Sequence, residues 1–281
     1  MKRLLLLLIA LACACASLDS FLYNPERVDA YALTYAESVP QSWRVPESQR
    51  DPVTFPADDG TAVYAVFLRR PDAERRAAPT VLYHHGNKGG IDTYWERVSH
   101  LWSLGANVLI YDYPGYGRCE GDPSEAGIYS HARAAVGYLR RQGDAIDQLR
   151  IFNYGYSLGG GPAIETASRM GNFRGLITES TFASVAALVE DGSLVVPRSF
   201  VTGNQFDNVG KIRAAASHAT SGALLFHGDA DDFVQPRYVD QLGDAIGAGA
   251  RHEVVHVPGA DHGGVPASPL YDSRLISFFS R

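Results

Sequence analysis

Cysteine is scarce in this sequence, with three residues in 281, two of them close to the start at positions 13 and 15. Only Cys119 stands in the body of the chain, so no internal disulfide framework can be built, and its expected role is that of a small buried hydrophobe. Basic runs are missing too. With a formal net charge of -6 and a pI near 5.8, the chain lacks the clustered cationic face that phosphate binding requires, which sets nucleic acid aside as a partner. No His, Cys, Asp and Glu residues stand at metal-ligand spacing, and neither a metal nor a cofactor is expected. There is no internal repeat, no low-complexity segment and no apolar run long enough to cross ~30 Å of hydrocarbon. What is present is an ordinary globular balance, 46% hydrophobic and 20% charged, in a length that suits one large α/β domain.

Near the start, Lys2 and Arg3 precede an apolar stretch over residues 4–11, followed by Ala12-Cys13-Ala14-Cys15-Ala16. Positive residues, a short apolar run and a small-residue site read as an export signal over residues 1–16. The cysteine-bearing stretch resembles the lipobox of bacterial lipoproteins, in which a cysteine is diacylated and becomes the new amino terminus. That resemblance implies lipidation at Cys15, or at Cys13, and attachment to the periplasmic side of a bacterial membrane. Cleavage by the ordinary signal peptidase, discarding both cysteines, is the alternative. Residues 17–50 mix Asn, Pro, Gln and Ser with scattered aromatics such as Tyr23, Tyr31 and Trp43, and are expected to form a tether and then a segment packed on the domain surface.

From about residue 51 the pattern alternates short aliphatic runs with longer helical stretches. The runs cover 62–68, 80–84, 107–111, 150–156, 175–179, 223–227 and 252–257, several of them apolar throughout, as in strands covered on both faces. Helical spacing of apolar residues appears over 94–104, 126–141, 158–170, 236–246 and 270–279. Gly105, Gly143, Gly171 and Gly247 follow four of these helices, where a terminating residue of positive φ is wanted. Repeated βαβ units predict an α/β fold with a mostly parallel sheet, and place any chemistry in the loops beyond the carboxyl ends of the strands.

One such loop carries Gly155-Tyr156-Ser157-Leu158-Gly159, directly after the run 151–154 and directly before a helical stretch. This is G-x-S-x-G in its strand-to-helix context, where the serine occupies a sharp turn that leaves no room for a Cβ at either glycine. A serine hydroxyl needs a base within hydrogen-bond reach, itself held by a third group. His227-Gly228-Asp229-Ala230-Asp231-Asp232-Phe233-Val234 supplies acids after an apolar strand, and Pro258-Gly259-Ala260-Asp261-His262 supplies a histidine after the last strand. The order along the chain is Ser, then Asp, then His.

These motifs resemble those of the α/β-hydrolase superfamily, over the chain from about Pro52 to its end, and in particular the BEM46-like serine hydrolases, related in pattern to dipeptidyl-aminopeptidase and acylaminoacyl-peptidase domains. The resemblance implies an α/β-hydrolase fold over residues 51–281, Ser157 as nucleophile, Asp231 as the orienting acid and His262, in a G-x-x-H turn, as the base, with Asp229 and Asp232 left as solvated loop residues. His85-Gly86-Asn87 resembles the H-G-N loop of the same proteins, so the amides of Asn87 and Leu158 are expected to form the oxyanion hole, while His84 and His85 shape the loop. The stretch 112–121 resembles a structural D-x-x-G-x-G-x-S-x-G turn with Cys119 in place of the serine. A small cap is expected at about 180–210, too short for a separate domain. The expected activity is hydrolysis of an ester, thioester or amide of a small or short-chain acyl substrate through an acyl-enzyme. The alternatives are an aminopeptidase-type activity and a catalytically silent scaffold that binds a ligand or partner at the membrane.

Overall fold

The computed structural model describes residues 22–192 and 205–281. Its strands are β1 (Asn24–Pro25), β2 (Arg50–Pro56), β3 (Ala62–Leu68), β4 (Thr80–His84), β5 (Lys88–Gly89), β6 (Asn107–Tyr111), β7 (Ile151–Tyr156), β8 (Gly175–Glu179), β9 (Ala223–Gly228) and β10 (His252–Val257). The α-helices are α1 (Asp72–Arg75), α2 (Trp95–Ser103), α3 (Glu125–Arg141), α4 (Gly160–Met170), α5 (Val185–Glu190), α6 (Asn208–His218), α7 (Arg237–Ile246) and α8 (Pro269–Phe279).

Among the described residues, eight strands make one sheet in the order β10-β9-β8-β7-β4-β6-β3-β2. It is parallel from β10 to β6 and antiparallel where β3 meets β6 and β2. This is the α/β-hydrolase fold that the sequence motifs imply. Its period-two alternation is visible in β9, where Leu224 and Phe226 enter one apolar layer and Ala223 and Leu225 the other. The first layer packs Val98 and Leu101 of α2 and Leu275 and Phe278 of α8; the second packs Ile128 of α3, Ile164 of α4, Ile212 of α6 and Leu242 of α7. Each such side chain contributes ~1.5–3 kcal/mol on burial, and together they hold the strand ends in fixed register.

The expected strands and long helices are present to within a residue or two, and the glycines at 105, 143, 171 and 247 all have positive φ. Among elements of seven residues or more, two lie outside the predicted set, β2 and α6. Strand β2 reads Arg-Asp-Pro-Val-Thr-Phe-Pro, and its two prolines are accommodated because it is the edge strand. Helix α6 has only Ile212, Ala215 and Ala216 as buried apolar residues, too small a stripe to register as a helical period.

Upstream of β2, Leu22, Tyr23, Val39 and Val45 are buried, and β1 pairs with β5 in parallel, so this segment reaches the loop after β4. Positions 1–16, including Cys13 and Cys15, lie outside the described residues, as does 193–204 of the expected cap. The described part of the cap holds α5, capped by Ser184, with Asp191 bonded to Arg237 and Tyr238 of α7, and the start of α6 at Asn208.

Candidate active site

Strands β7, β8 and β9 end side by side, with Tyr156 opposite Glu179 and Glu179 opposite Phe226. The residue after Tyr156 is Ser157, whose φ of 52° is a left-handed conformation that costs a residue with a side chain on the order of 1–3 kcal/mol. The neighbouring glycines make the turn possible. A Cβ on Gly159 would run into the His84 carbonyl of β4, and one on Gly155 into the backbone of Gly159 and Gly160. After the turn, α4 begins at Gly160, so the serine stands at a helix amino terminus, where backbone dipoles favour negative charge.

The loops after β9 and β10 bring Asp231 and His262 to this serine. His262 Nε2 is 3.0 Å from Ser157 Oγ, and His262 Nδ1 is 2.8 Å from Asp231 Oδ2. A carboxylate oxygen only accepts, so Nδ1 carries the proton and Nε2 is left to accept from the serine hydroxyl. Ser157 and Asp231 are buried, while the His262 side chain remains partly open. The sequence-predicted trio is therefore assembled in one place. Asp232, the neighbouring acid, is exposed, and it is Asp231 that accepts from His262 Nδ1.

Asp231 is held on every side. Its Oδ1 accepts the amides of Phe233 at 3.0 Å and Val234 at 2.8 Å, and its Oδ2 accepts His227 Nε2 at 3.1 Å besides His262. Burial alone would raise its pKa. The hydrogen bonds from His227, His262 and the Val234 amide outweigh that and keep the carboxyl ionised below the usual carboxylate range. Asp229, expected to be merely solvated, has a partner: its Oδ1 accepts the Gly259 amide at 2.6 Å and ties the acid loop to the histidine loop.

In the loop after β4, His85 donates Nδ1–H to the Gly86 carbonyl at 2.7 Å. That carbonyl belongs to the same planar peptide as the Asn87 N–H, so the ring fixes the direction in which this N–H points. The Asn87 carbonyl accepts from the Asn24 amide at 2.9 Å and from the Tyr116 hydroxyl at 3.0 Å. His85 is stacked on Tyr113, with ring centroids 4.0 Å apart, and burial lowers its pKa to about 3, so its approach to Asp112 is a contact of a neutral ring and not an ion pair. His84 is likewise buried and lowered to about 3; its Nε2–H donates to Asn153 Oδ1 and its Nδ1 accepts from Tyr111. Cys119 is buried against the backbone of Asp112 and Tyr64, and burial followed by the Asp112 charge pushes its thiol up to about 12. It fits the structural turn expected of it.

Residues 127–280, more than half the chain, match the prolyl oligopeptidase family. The chain belongs to the prolyl oligopeptidase family. An overlapping match, to Chlamydia CHLPS protein (DUF818), covers residues 53–169. Among curated relatives of this family member, the uncharacterized protein YfhR of Escherichia coli K12 is 29% identical over 194 residues, which are 68% of this chain and 66% of that protein. Protein bem46 of Schizosaccharomyces pombe is 29% identical over 177 residues, 60% of this chain and 57% of the yeast protein, in line with the BEM46-like motifs. The solved Pyrococcus furiosus esterase Pf2001 shares the fold, with a TM-score of 0.68 at 18% identity, covering 92% of this chain and 97% of the esterase.

What sequence motifs did not reveal in this family member is the layer behind the trio. Tyr156, between Gly155 and Ser157, donates its hydroxyl to the His262 carbonyl at 3.3 Å. Arg97 of α2 and the fully buried Glu179 lie beneath it. No local motif marks them, because they converge from three separate elements.

Proposed function

We propose that this chain is a serine hydrolase that cleaves an ester, thioester or amide through an acyl-enzyme on Ser157. The observation that carries the reading is the continuous line from Ser157 Oγ through His262 to Asp231, at 3.0 and 2.8 Å, on a strained turn at a helix amino terminus. As Oγ attacks the substrate carbonyl, its proton passes to His262 Nε2. Asp231 stays ionised and stabilises the imidazolium. The amides of Asn87 and Leu158 are assigned to the oxyanion, each donor contributing ~3 kcal/mol of transition-state stabilisation. His262 then gives its proton to the departing alcohol, thiol or amine, and a water repeats the sequence in reverse roles to free the acid.

A carboxylesterase-type activity on small or short-chain acyl groups fits the short interval between β8 and β9, which leaves space for a small cap only. Membership of the prolyl oligopeptidase family supports a second reading, an aminopeptidase-type activity. Purified protein lacking residues 1–16, assayed on nitrophenyl esters alongside aminoacyl nitroanilides, separates the two: the first reading requires faster turnover of the esters, and faster turnover of the nitroanilides selects the second. We also propose export and attachment to the periplasmic side of a bacterial membrane through acyl chains on Cys15 or Cys13, on the strength of the signal-like sequence over 1–16.

A further inference from the structure

Arg97 takes no part in the acyl-transfer steps, yet its guanidinium touches three segments that carry the site. Nη1 is 2.8 Å from Glu179 Oε1, at the end of β8. Nη2 donates to the Gly263 carbonyl at 2.7 Å, immediately after His262. The guanidinium carbon lies 3.9 Å from the centre of the Tyr156 ring, immediately before Ser157. Tyr156 in turn donates its hydroxyl to the His262 carbonyl, and the two rings are 5.4 Å apart. Glu179 is itself fixed from behind, since its other oxygen accepts the Tyr154 hydroxyl, which also meets Tyr271 at 2.9 Å.

Neutralising a buried Glu179 needs one cation and one contact. Arg97 does more than that: its planar fork uses a second nitrogen on the histidine loop and its face on the ring beside the serine. The histidine loop carries glycines at 259, 263 and 264, and the Asp229 bond to the Gly259 amide and the Ala230 amide bond to the Ala260 carbonyl tie it to the acid loop ahead of His262. Arg97 holds the loop just after His262, and without that tie the two glycines there give the backbone conformations that would carry Nε2 away from Ser157 Oγ.

We propose that Arg97 is a positioning residue, which clamps the Gly263 carbonyl and the Tyr156 ring to one buried carboxylate and thereby fixes the separation of His262 from Ser157. The inference rests on the reading of Ser157 and His262 as nucleophile and base. A displacement of about 1 Å in such a pair lowers turnover by about 100-fold without a matching change in substrate binding.

Two variants separate positioning from plain charge balance. Arg97→Lys keeps a cation beside Glu179 but has no fork and no flat face. The double variant Arg97→Met with Glu179→Gln removes both charges together, so no buried charge is left unpaired. Both are expected to fold, to keep KM within about threefold of the parent and to lose kcat by about 10- to 100-fold. A kcat within about twofold of the parent in either folded variant overturns the proposal, as does a raised KM with kcat retained, which would put Arg97 in substrate binding. Proton NMR of the His262 Nδ1–H gives a readout that needs no substrate. Its downfield resonance, hydrogen-bonded to Asp231, should shift or broaden in both variants; an unchanged resonance overturns the clamp. If the parent hydrolyses nothing while the resonance still responds, it is the hydrolase reading that fails and not the clamp.

Discussion

His227 shares its Nε2–H between Asp231 Oδ2 at 3.1 Å and the Val234 carbonyl at 2.8 Å, from a position with no solvent access, while the opposite carboxylate oxygen takes the amides of Phe233 and Val234. Those two amides require an acceptor, so an asparagine at 231 would leave its carbonyl there and turn its NH2 toward His227 and His262. The His262 Nδ1 would then have to accept, its proton would move to Nε2, and Nε2 would no longer take the serine proton. Asp231→Asn is therefore expected to lower kcat by about 10⁴-fold with the fold retained. Asp232→Asn, at an exposed position, is expected to stay within about threefold. Steady-state kinetics on the two variants check the assignment, and the reverse ranking would shift the acid by one residue.

Stability should fall on acidification below neutrality. Burial lowers His84 and His85 from 6.5 to about 3 in the folded chain. Between those values the unfolded chain binds more protons, so the stability they contribute is complete above about pH 6.5 and is lost as pH falls toward 3. Asp112 works against this: burial raises it from 3.8 to about 7, despite hydrogen bonds from Tyr31 and the Ile91 amide, so its contribution improves as pH falls from 7 to 4. Two histidines outweigh one carboxyl across pH 6.5 to 4, and Asp231, held below the usual carboxylate range, adds a further loss below about pH 4. Thermal unfolding at pH 7.5, 6.5, 5.5 and 4.5 should give a Tm that declines below 6.5. A flat or rising Tm would show that the two imidazoles are not held neutral.

Catalytic efficiency should peak for acyl chains of about two to six carbons. Each methylene buried against an apolar wall contributes ~0.8 kcal/mol, and a short cap offers wall for only a few. Soluble protein assayed with nitrophenyl esters below their aggregation limits checks this, and a steady rise up to long-chain esters contradicts it.

At the amino terminus, mass spectrometry of the mature protein from membranes should find an acylated cysteine at position 15 or 13. An unmodified residue near position 17 as the first residue would exclude the lipid anchor.

The trio was legible in the sequence because each member sits in a short motif bound to its strand: the elbow after β7, the acid loop after β9 and the histidine turn after β10. Strand and helix periods carried most of the sheet for the same reason. What was not legible depends on other forces. In β2 the prolines at 52 and 56 suppress the strand signal, and only its place at the sheet edge makes them harmless. In α6 alanines do the packing, so the period is faint. Asp229 looks like a solvated loop acid until the Gly259 amide is seen beside it, and Arg97 and Glu179 meet across a sequence separation of 82 residues. Contacts between distant elements leave no spacing to read.

The most direct test of the account is to treat folded protein with a fluorophosphonate and map the adduct by mass spectrometry. The account predicts one adduct, on Ser157, absent from Ser157→Ala and formed far more slowly in His262→Ala, with both variants folded. No labelling of the folded parent, or labelling of Ser157→Ala at the parental rate, would contradict it.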